Sequence, residues 1–356
     1  MQQQEQPESQ SSSTPTVTES LQPTKVPRLA VPLNQQDFWK RQQEARHSSV
    51  EGLPAEQDWL LSIPNTSDET KIDEINQPNT TDRVIIPRII HKIYIQKMGG
   101  FPSQEEMNEP MQQALKSWVD MNPTYRMQFF DLERCRAYLA QYFHPIFLRA
   151  FDCLEAFALK ADFMRQVVVY REGGWYSDWK QVCLEHGALD SLAASSSSNE
   201  NDNKNITLVM FWDHNIRAHT RMGIIQNALF GAVPRHPLMM ETIVQILRNI
   251  QATRYGQTPI HNAGPGTFGE AYGNVTQRIN LTDTTVEGLV YRQQFRNPQK
   301  HALVLHKCDG CGQDQNWDRG NNYNELHKKQ LSYCQDAPAL FAPPSEAIRQ
   351  GNVSVL

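Results

Sequence analysis

Residues 158–180 read ALKADFMRQVVVYREGGWYSDWK, and the reading of this stretch decides the fold. Leu159, Phe163, Met164, Val167 and Val168 recur at spacings of three and four, which predicts a helix with one buried stripe. Asp162 and Arg165 are three apart, so they share another face and reach one ligand. Gly173 and Gly174 stop the helix, because glycine takes positive φ at little cost and lets another backbone approach closely. Trp175 and Tyr176 then form a short strand, and Asp178 stands where that strand ends. A carboxylate at the exit of a central strand commonly holds a cation or a phosphate in an α/β sheet.

Upstream, residues 89–95 are apolar and β-branched, which suits a first buried parallel strand. His91 in it reads as a packed core histidine. A helix starts near Pro110, with Met111, Leu115, Trp118 and Val119 on its buried face. Residues 125–129 alternate as a strand, and Asp131 N-caps a helix carrying Leu132, Cys135 and Leu139. Downstream, the polar run at 193–205 is a surface loop. Residues 206–212 form another buried strand that ends in Asp213 and His214. A helix at 238–252 follows, then a capping box of Thr267 and Glu270, then a strand at 302–305 ending at His306. Strands alternating with helices predict one α/β domain with a mostly parallel sheet.

That domain spans residues 84–340. Residues 1–83 are rich in Gln, Ser, Thr, Pro and Asn without a sustained period. They read as a disordered or stem-like arm, with short helical pieces at 37–46 and 55–61. Residues 341–356 read as a flexible tail. Of the whole chain of 356 residues, 39% is hydrophobic and 21% charged, enough for a sizeable core. The formal net charge of −5 argues against a nucleic-acid partner. No run approaches the roughly 18–20 apolar residues of a membrane span, and the N-terminus lacks the regions of a signal peptide. Membrane association therefore requires an anchor upstream of this sequence. Six N-x-S/T sequons, at Asn65, Asn79, Asn205, Asn274, Asn280 and Asn352, lean towards a secretory route. Cys308, Cys311, Cys334 and His327 have irregular spacing for a zinc site, and a disulfide within the tail is the stronger expectation for a lumenal protein.

The run A-x-K-A-D-x-x-R at 158–165, with G-G-x-Y-x-D at 173–178, resembles the sugar-binding region of family 32 glycosyltransferases. That family includes fungal initiation-specific α-1,6-mannosyltransferases and related galactosyl- and N-acetylglucosaminyltransferases. Segments at 87–93 and 117–125, the Asn227 and His236-Pro237 region, and the Gly264-Pro265 turn resemble it more weakly. The usual signature ends in Asp-x-Asp, whereas here Asp178 and Trp179 are followed by Lys180.

The resemblance implies a GT-A-type, Rossmann-like nucleotide-diphospho-sugar transferase in the Golgi lumen or membrane. Its reaction would move a hexose from GDP-mannose or a UDP-sugar to a glycan or glycolipid acceptor with retention of configuration. A front-face and a double-displacement course both stay open. It also implies Mn²⁺ or Mg²⁺, since negative charge grows on the leaving diphosphate and positive charge held there stabilises the transition state. Mg²⁺ sites often use one or two carboxylates plus phosphate oxygens, so Asp178 alone suffices for a weaker hold. Asp178 is the candidate catalytic residue, as metal ligand or ribose contact. Asp162, Arg165, Gly173, Gly174, Tyr176, Lys180, Asn227 and His306 are the candidate donor contacts, the two glycines by giving the nucleotide sugar room. The rival reading is a catalytically inactive binding module that keeps the fold.

Overall fold

The helix predicted in the central stretch forms over Phe157–Glu172 and is buried on nearly every side, not along one stripe. Such a helix belongs inside a layered core. The computed structural model describes residues 59–60, 85–97, 99–103, 107–194, 205–213, 223–311 and 321–341. The predicted helical piece at 37–46, His214 and the tail beyond 341 lie outside them.

In chain order the first elements are β1 (Ile89–Ile93), α1 (Glu109–Met121), β2 (Arg126–Phe130), α2 (Leu132–Tyr142) and α3 (Pro145–Cys153). The central pair follows, α4 (Phe157–Glu172) and β3 (Gly174–Ser177), then β4 (Val182–Cys183) and α5 (Ala188–Ala194). β5 (Leu208–Asp213), β6 (Ile225–Ala232), α6 (Pro237–Gln251) and α7 (Pro265–Thr276) come next. β7 (Thr285–Tyr291), β8 (Gln294–Arg296), β9 (Ala302–Leu305) and α8 (Tyr323–Lys328) complete the series.

Among the described residues, nine strands make one sheet in the order β2-β1-β3-β6-β5-β7-β8-β9-β4. The sheet is mixed, which corrects the mostly parallel expectation. β1 pairs parallel with β2 and β3, and β5 with β7, while the other neighbours are antiparallel. The cause is connection length. Parallel neighbours need a crossover of a dozen residues or more, as α1 supplies between β1 and β2. β7 and β8 are joined by only Arg292 and Gln293, both at positive φ (49° and 62°), the backbone that a two-residue hairpin demands.

The helix caps follow the sequence in part. Asn108 and Asp131 accept from the amides of Met111 and Arg134, and His236 caps α6 through Leu238. The predicted capping box does not form, because α7 already begins at Pro265. Thr267 instead donates to the His261 carbonyl, and Glu270 pairs with Arg254. α4 packs against α6 under the sheet, and Phe147, Phe163, Phe230 and Phe268 fill the core around them.

Core packing begins upstream of position 83. Trp59 is 2% exposed, lies edge-on to Phe147 at 5.2 Å, and its carbonyl accepts from the His144 amide. The cysteines of the predicted zinc or tail-disulfide group are divided between two bridges. Cys308 joins Cys311 within the tail, whereas Cys334 reaches back to Cys153 at the end of α3.

Two predictions follow from this packing. Trp59→Ala should destabilise the fold by about 3–5 kcal/mol, the usual range for an emptied aromatic site. Urea unfolding measures it, and a loss under about 1 kcal/mol would show that the Trp59 contact is dispensable. His236 is fully buried, and burial pushes its imidazole down to about 3 from 6.5. Below pH 6.5 the unfolded chain gains a proton that the folded chain refuses. This contribution is therefore whole above 6.5 and lost as pH falls towards 3, by up to ~1.4 kcal/mol per pH unit. His236→Asn keeps a capping oxygen but does not titrate, so its melting temperature should fall less between pH 6.5 and 4 than that of the wild type.

Candidate active site

The geometry starts from the α4–Gly173–Gly174–β3 turn. Climbing back from Gly173 to Arg165 spans about 12 Å at 1.5 Å per helical residue, and Gly174 to Asp178 spans about 13 Å at 3.3 Å per strand residue. The two side chains thus arrive level at the far edge of the sheet. Chain directions bring others there. β1, β2, β3, β5, β7 and β9 run the same way, so Asp178, Asp213 and His306 all stand at their carboxyl ends. β6 runs oppositely and delivers Asn227 at its start.

The Arg165 guanidinium is the hub. It contacts Asp162 Oδ1 at 3.2 Å and Asp178 Oδ1 at 3.3 Å, and donates to the Asn227 carbonyl at 2.7 Å. Its face lies 4.3 Å from the centre of the Tyr176 ring. Tyr176 donates its hydroxyl to Asp178 Oδ1 at 2.6 Å, and the Asn227 amide donates to Asp162 Oδ1 at 2.8 Å. The Asp162 and Arg165 side chains are 14% and 8% exposed, whereas that of Asp178 is 36% exposed and open to a ligand.

Burial pushes the Asp162 carboxyl up to about 6, prevailing over Arg165 and Asn227, which pull it down. Burial also opposes the Arg165 charge, but Tyr176, Asp178 and Asp162 outweigh it and hold the guanidinium above its usual range. Burial lowers His306, with Asp178 and Asp213 acting in the other direction. His306 is linked to Gln293 and lies 5.5 Å from Phe295.

Gly264, just before α7, stands over Asp162, since a Cβ there would lie 3.0 Å from Oδ2. Lys180 is partly exposed beyond Asp178, and its carbonyl accepts from the Cys308 amide.

The two glycines do not join this group. They lie at the start of β3, the opposite edge, and are buried. A Cβ on Gly173 would sit 2.6 Å from Pro234 Cδ, and one on Gly174 2.7 Å from the Ile89 carbonyl. They make room for protein backbone and side chains, not for a nucleotide sugar. His91 is the core histidine expected, fully buried with Nε2 at the Gly173 carbonyl.

Two residues at this edge were not singled out by sequence. Asp213 is 7% exposed and accepts from Gln226 at 2.5 Å; the strand-end rule that found Asp178 applies equally to it. Lys92 is fully buried under Asp178, and burial pushes its ammonium down to about 7, with Asp178 and Cys183 acting in the other direction. Its signal was a lone cation in an otherwise apolar strand.

Residues 108–199, which include Asp162, Arg165 and Asp178, match the family described as glycosyltransferase sugar-binding region containing DXD motif. That stretch is similar to the sugar-binding region of such glycosyltransferases. An uncharacterised glycosyltransferase of Acanthamoeba polyphaga mimivirus is 35% identical over 102 residues, covering 29% of this chain and 38% of that protein. Inositol phosphoceramide mannosyltransferase 2 of Schizosaccharomyces pombe is 28% identical over 189 residues, covering 52% of this chain and 46% of that protein. A mannosyl phosphorylinositol ceramide synthase of Saccharomyces cerevisiae is 26% identical over 191 residues, covering 51% and 43%. The chain thus spans about half or less of the length of these relatives. Among solved structures, the PaToxG glycosyltransferase aligns with a TM-score of 0.39 at 15% identity, covering 74% of this chain and 87% of that one. The hydrogen bonds of the matched stretch reach beyond residue 199, since Asn227 from β6 donates to Asp162.

Removing the hub should expose the charge balance of this region. Arg165→Met leaves Asp162 buried without its cation and should destabilise the fold by about 3–5 kcal/mol. Adding Asp162→Asn should restore part of that loss in urea unfolding. A double-variant loss equal to the sum of the losses in Arg165→Met and Asp162→Asn would show that the Asp162–Arg165 contact contributes nothing.

Proposed function

We propose that this chain is a glycosyltransferase with a GT-A-type domain, moving a hexose from a nucleotide-diphosphate sugar to a glycan or lipid acceptor. The observation that carries the reading is the Asp162–Arg165–Asp178 group, at the carboxyl edge of the sheet and inside the matched sugar-binding region. Ligands of open α/β sheets settle outside the carboxyl ends of the strands. The mannosyltransferase relatives favour a mannose donor such as GDP-mannose, and their acceptor, named in one as inositol phosphoceramide, favours a lipid-linked sugar acceptor. Retention of configuration and a UDP-sugar donor belong to the same reading by family resemblance.

In the proposed reaction the anomeric C–O bond to the diphosphate breaks, the acceptor hydroxyl oxygen bonds to the anomeric carbon, and its proton passes to the released diphosphate. Charge grows on the diphosphate as the C–O bond breaks. Asp162 and Asn227 hold the Arg165 guanidinium in one orientation, so this cation needs no reorganisation when the charge appears. Lys180 adds a second cation at the partly exposed rim.

Among the described residues no three His, Cys, Asp or Glu side chains converge to hold a metal. Asp178, whose side chain is 36% exposed, is the residue that would hold an ion shared with the diphosphate. When bound, Mn²⁺ or Mg²⁺ would supply further positive charge to the phosphates. A Golgi lumen setting is part of the proposal, and the two disulfides favour an oxidising compartment. Among the described residues no helix is long and apolar enough to cross a membrane.

Transfer assayed with a panel of GDP- and UDP-sugars tests the reading. Asp178→Asn should lower turnover about 10²-fold or more with the fold intact, and Asp162→Asn should chiefly weaken donor binding. Donor binding without turnover against every acceptor would support the inactive-module reading instead. Lys180→Asp should steepen the dependence on Mn²⁺. Full wild-type turnover in EDTA, with Lys180→Ala inactive, would transfer the metal's role to Lys180.

A further inference from the structure

Lys92 lies on β1, pointing away from solvent, with 0% of its surface exposed. An ammonium so placed costs several kcal/mol unless its donors are used. Here they are used on one short segment. Nζ donates to Ser177 Oγ at 2.7 Å and to the Asp178 carbonyl at 3.0 Å, and it sits 4.3 Å from the centre of the Trp118 ring. The register explains the reach. β1 and β3 pair in parallel with His91 opposite Tyr176, so Lys92 is level with Ser177, the last residue of β3.

The segment it grips is the turn that carries Asp178 and Lys180. Ser177 donates onward to Gln181 Oε1 at 2.8 Å, and Trp118 Nε1 donates to the Gln181 carbonyl at 2.8 Å. The Gln181 amide closes the turn on the Asp178 carbonyl at 3.3 Å. That carbonyl accepts from Lys92 below and from Gln181 across the turn, so the orientation of the Asp178 peptide is fixed from the buried side. With the peptide fixed, the carboxylate emerges towards Arg165 and Tyr176.

We propose that Lys92 is a positioning residue, a buried cation that clamps the Ser177–Gln181 turn and thereby aims the Asp178 carboxylate at the donor site. A lysine suits the task because its three donors are spent on a hydroxyl, a carbonyl and an aromatic face, while its apolar stem packs in the sheet. A residue present only to hold the fold would be served as well by an apolar side chain of this length. The proposal rests on the reading of Asp178 as the working carboxylate.

The test uses Lys92→Met, which keeps the stem and removes the donors, with Ser177→Ala as a milder second cut. Ser177 keeps its bond to Gln181, and the Asp178 carbonyl keeps that from the Gln181 amide, so removing the ammonium orphans neither group and Lys92→Met should keep its melting temperature within a few degrees. Turnover should nevertheless fall about 10- to 100-fold, with donor KM changing less than about 3-fold, as for a misplaced group that acts in the transition state. Ser177→Ala should lower turnover less, and the double variant should lose less than the product of the two single losses.

A crystal structure of Lys92→Met gives a readout independent of activity. It should show the Ser177–Gln181 turn displaced and the Asp178 carboxylate parted from Tyr176. An unmoved turn would overturn the proposal, as would a loss of stability in step with activity. Should Lys92→Met not fold, the same measurements on Ser177→Ala decide, a shifted Asp178 supporting the clamp and an unshifted one rejecting it. If Asp178→Asn itself keeps full turnover, the reading of the site has failed. If Asp178→Asn is inactive while Lys92→Met is fully active with its turn in place, the clamp alone has failed.

Discussion

A guanidinium buried at the edge of the sheet is the constraint on which this site depends. Left alone there, Arg165 would carry a desolvation penalty of several kcal/mol. It is tolerated because two carboxylates, two backbone carbonyls and one aromatic face converge on it. Each partner comes from a different place. Asp162 stands one turn earlier on α4, Tyr176 and Asp178 belong to β3 and its exit, and Asn227 lies near the start of β6. Satisfying one cation therefore registers a helix against two strands. The same contacts leave Asp178 as the accessible member, since Asp162 is covered by Asn227 and by Gly264 at the start of α7.

Much of this was legible in the sequence, and the part that was not has identifiable causes. Asp162, Arg165 and Asp178 were found because helical spacing and a strand exit are local properties of the chain. Asn108 and Asp131 both cap through an amide three residues on, but only Asp131 was read as a cap, because the sequence placed the first helix start at Pro110 and not at Glu109. The double glycine was read correctly as a helix stop and wrongly as ligand space. Positive φ is a local property, whereas the atoms that crowd Gly173 come from Pro87 and Pro234. The Cys153–Cys334 bridge spans 181 residues, and no local pattern announces such a pairing. Trp59 was lost in a polar arm for a similar reason, as a single aromatic residue has no period to reveal its burial.

The substitution of Lys180 for the second acidic residue of the usual signature changes more than one ligand. It moves the formal charge at that position from negative to positive, while Arg165 is already held by two carboxylates. A donor diphosphate of charge roughly −2 then meets an edge with two fixed or nearby cations, and one exposed carboxylate remains to hold an ion. On the proposed reading, such an edge would bind a diphosphate with less demand on a metal than a pair of aspartates would make. Whether the pull is shared with an ion depends on where the Asp178 carboxylate points, and that direction is set from beneath, at Lys92.

The mixed sheet bears on the site in a way that neighbour-by-neighbour pairing conceals. The expectation of a mostly parallel sheet failed for the pairings, since β6, β8 and β4 run against their neighbours. It nevertheless anticipated the directions that matter. β6 and β8 each lie between two forward strands and β4 lies at the end of the sheet, so β3, β5, β7 and β9 still end at one edge, as β1 does. An antiparallel insertion also brings in residues from its own start, which is how Asn227 reaches Asp162 without a long loop. Reversal at β6 therefore enlarges the set of elements that meet at the carboxyl edge. The site is fixed by which edge each strand ends on, and that property survives a change of pairing that reclassifies the sheet.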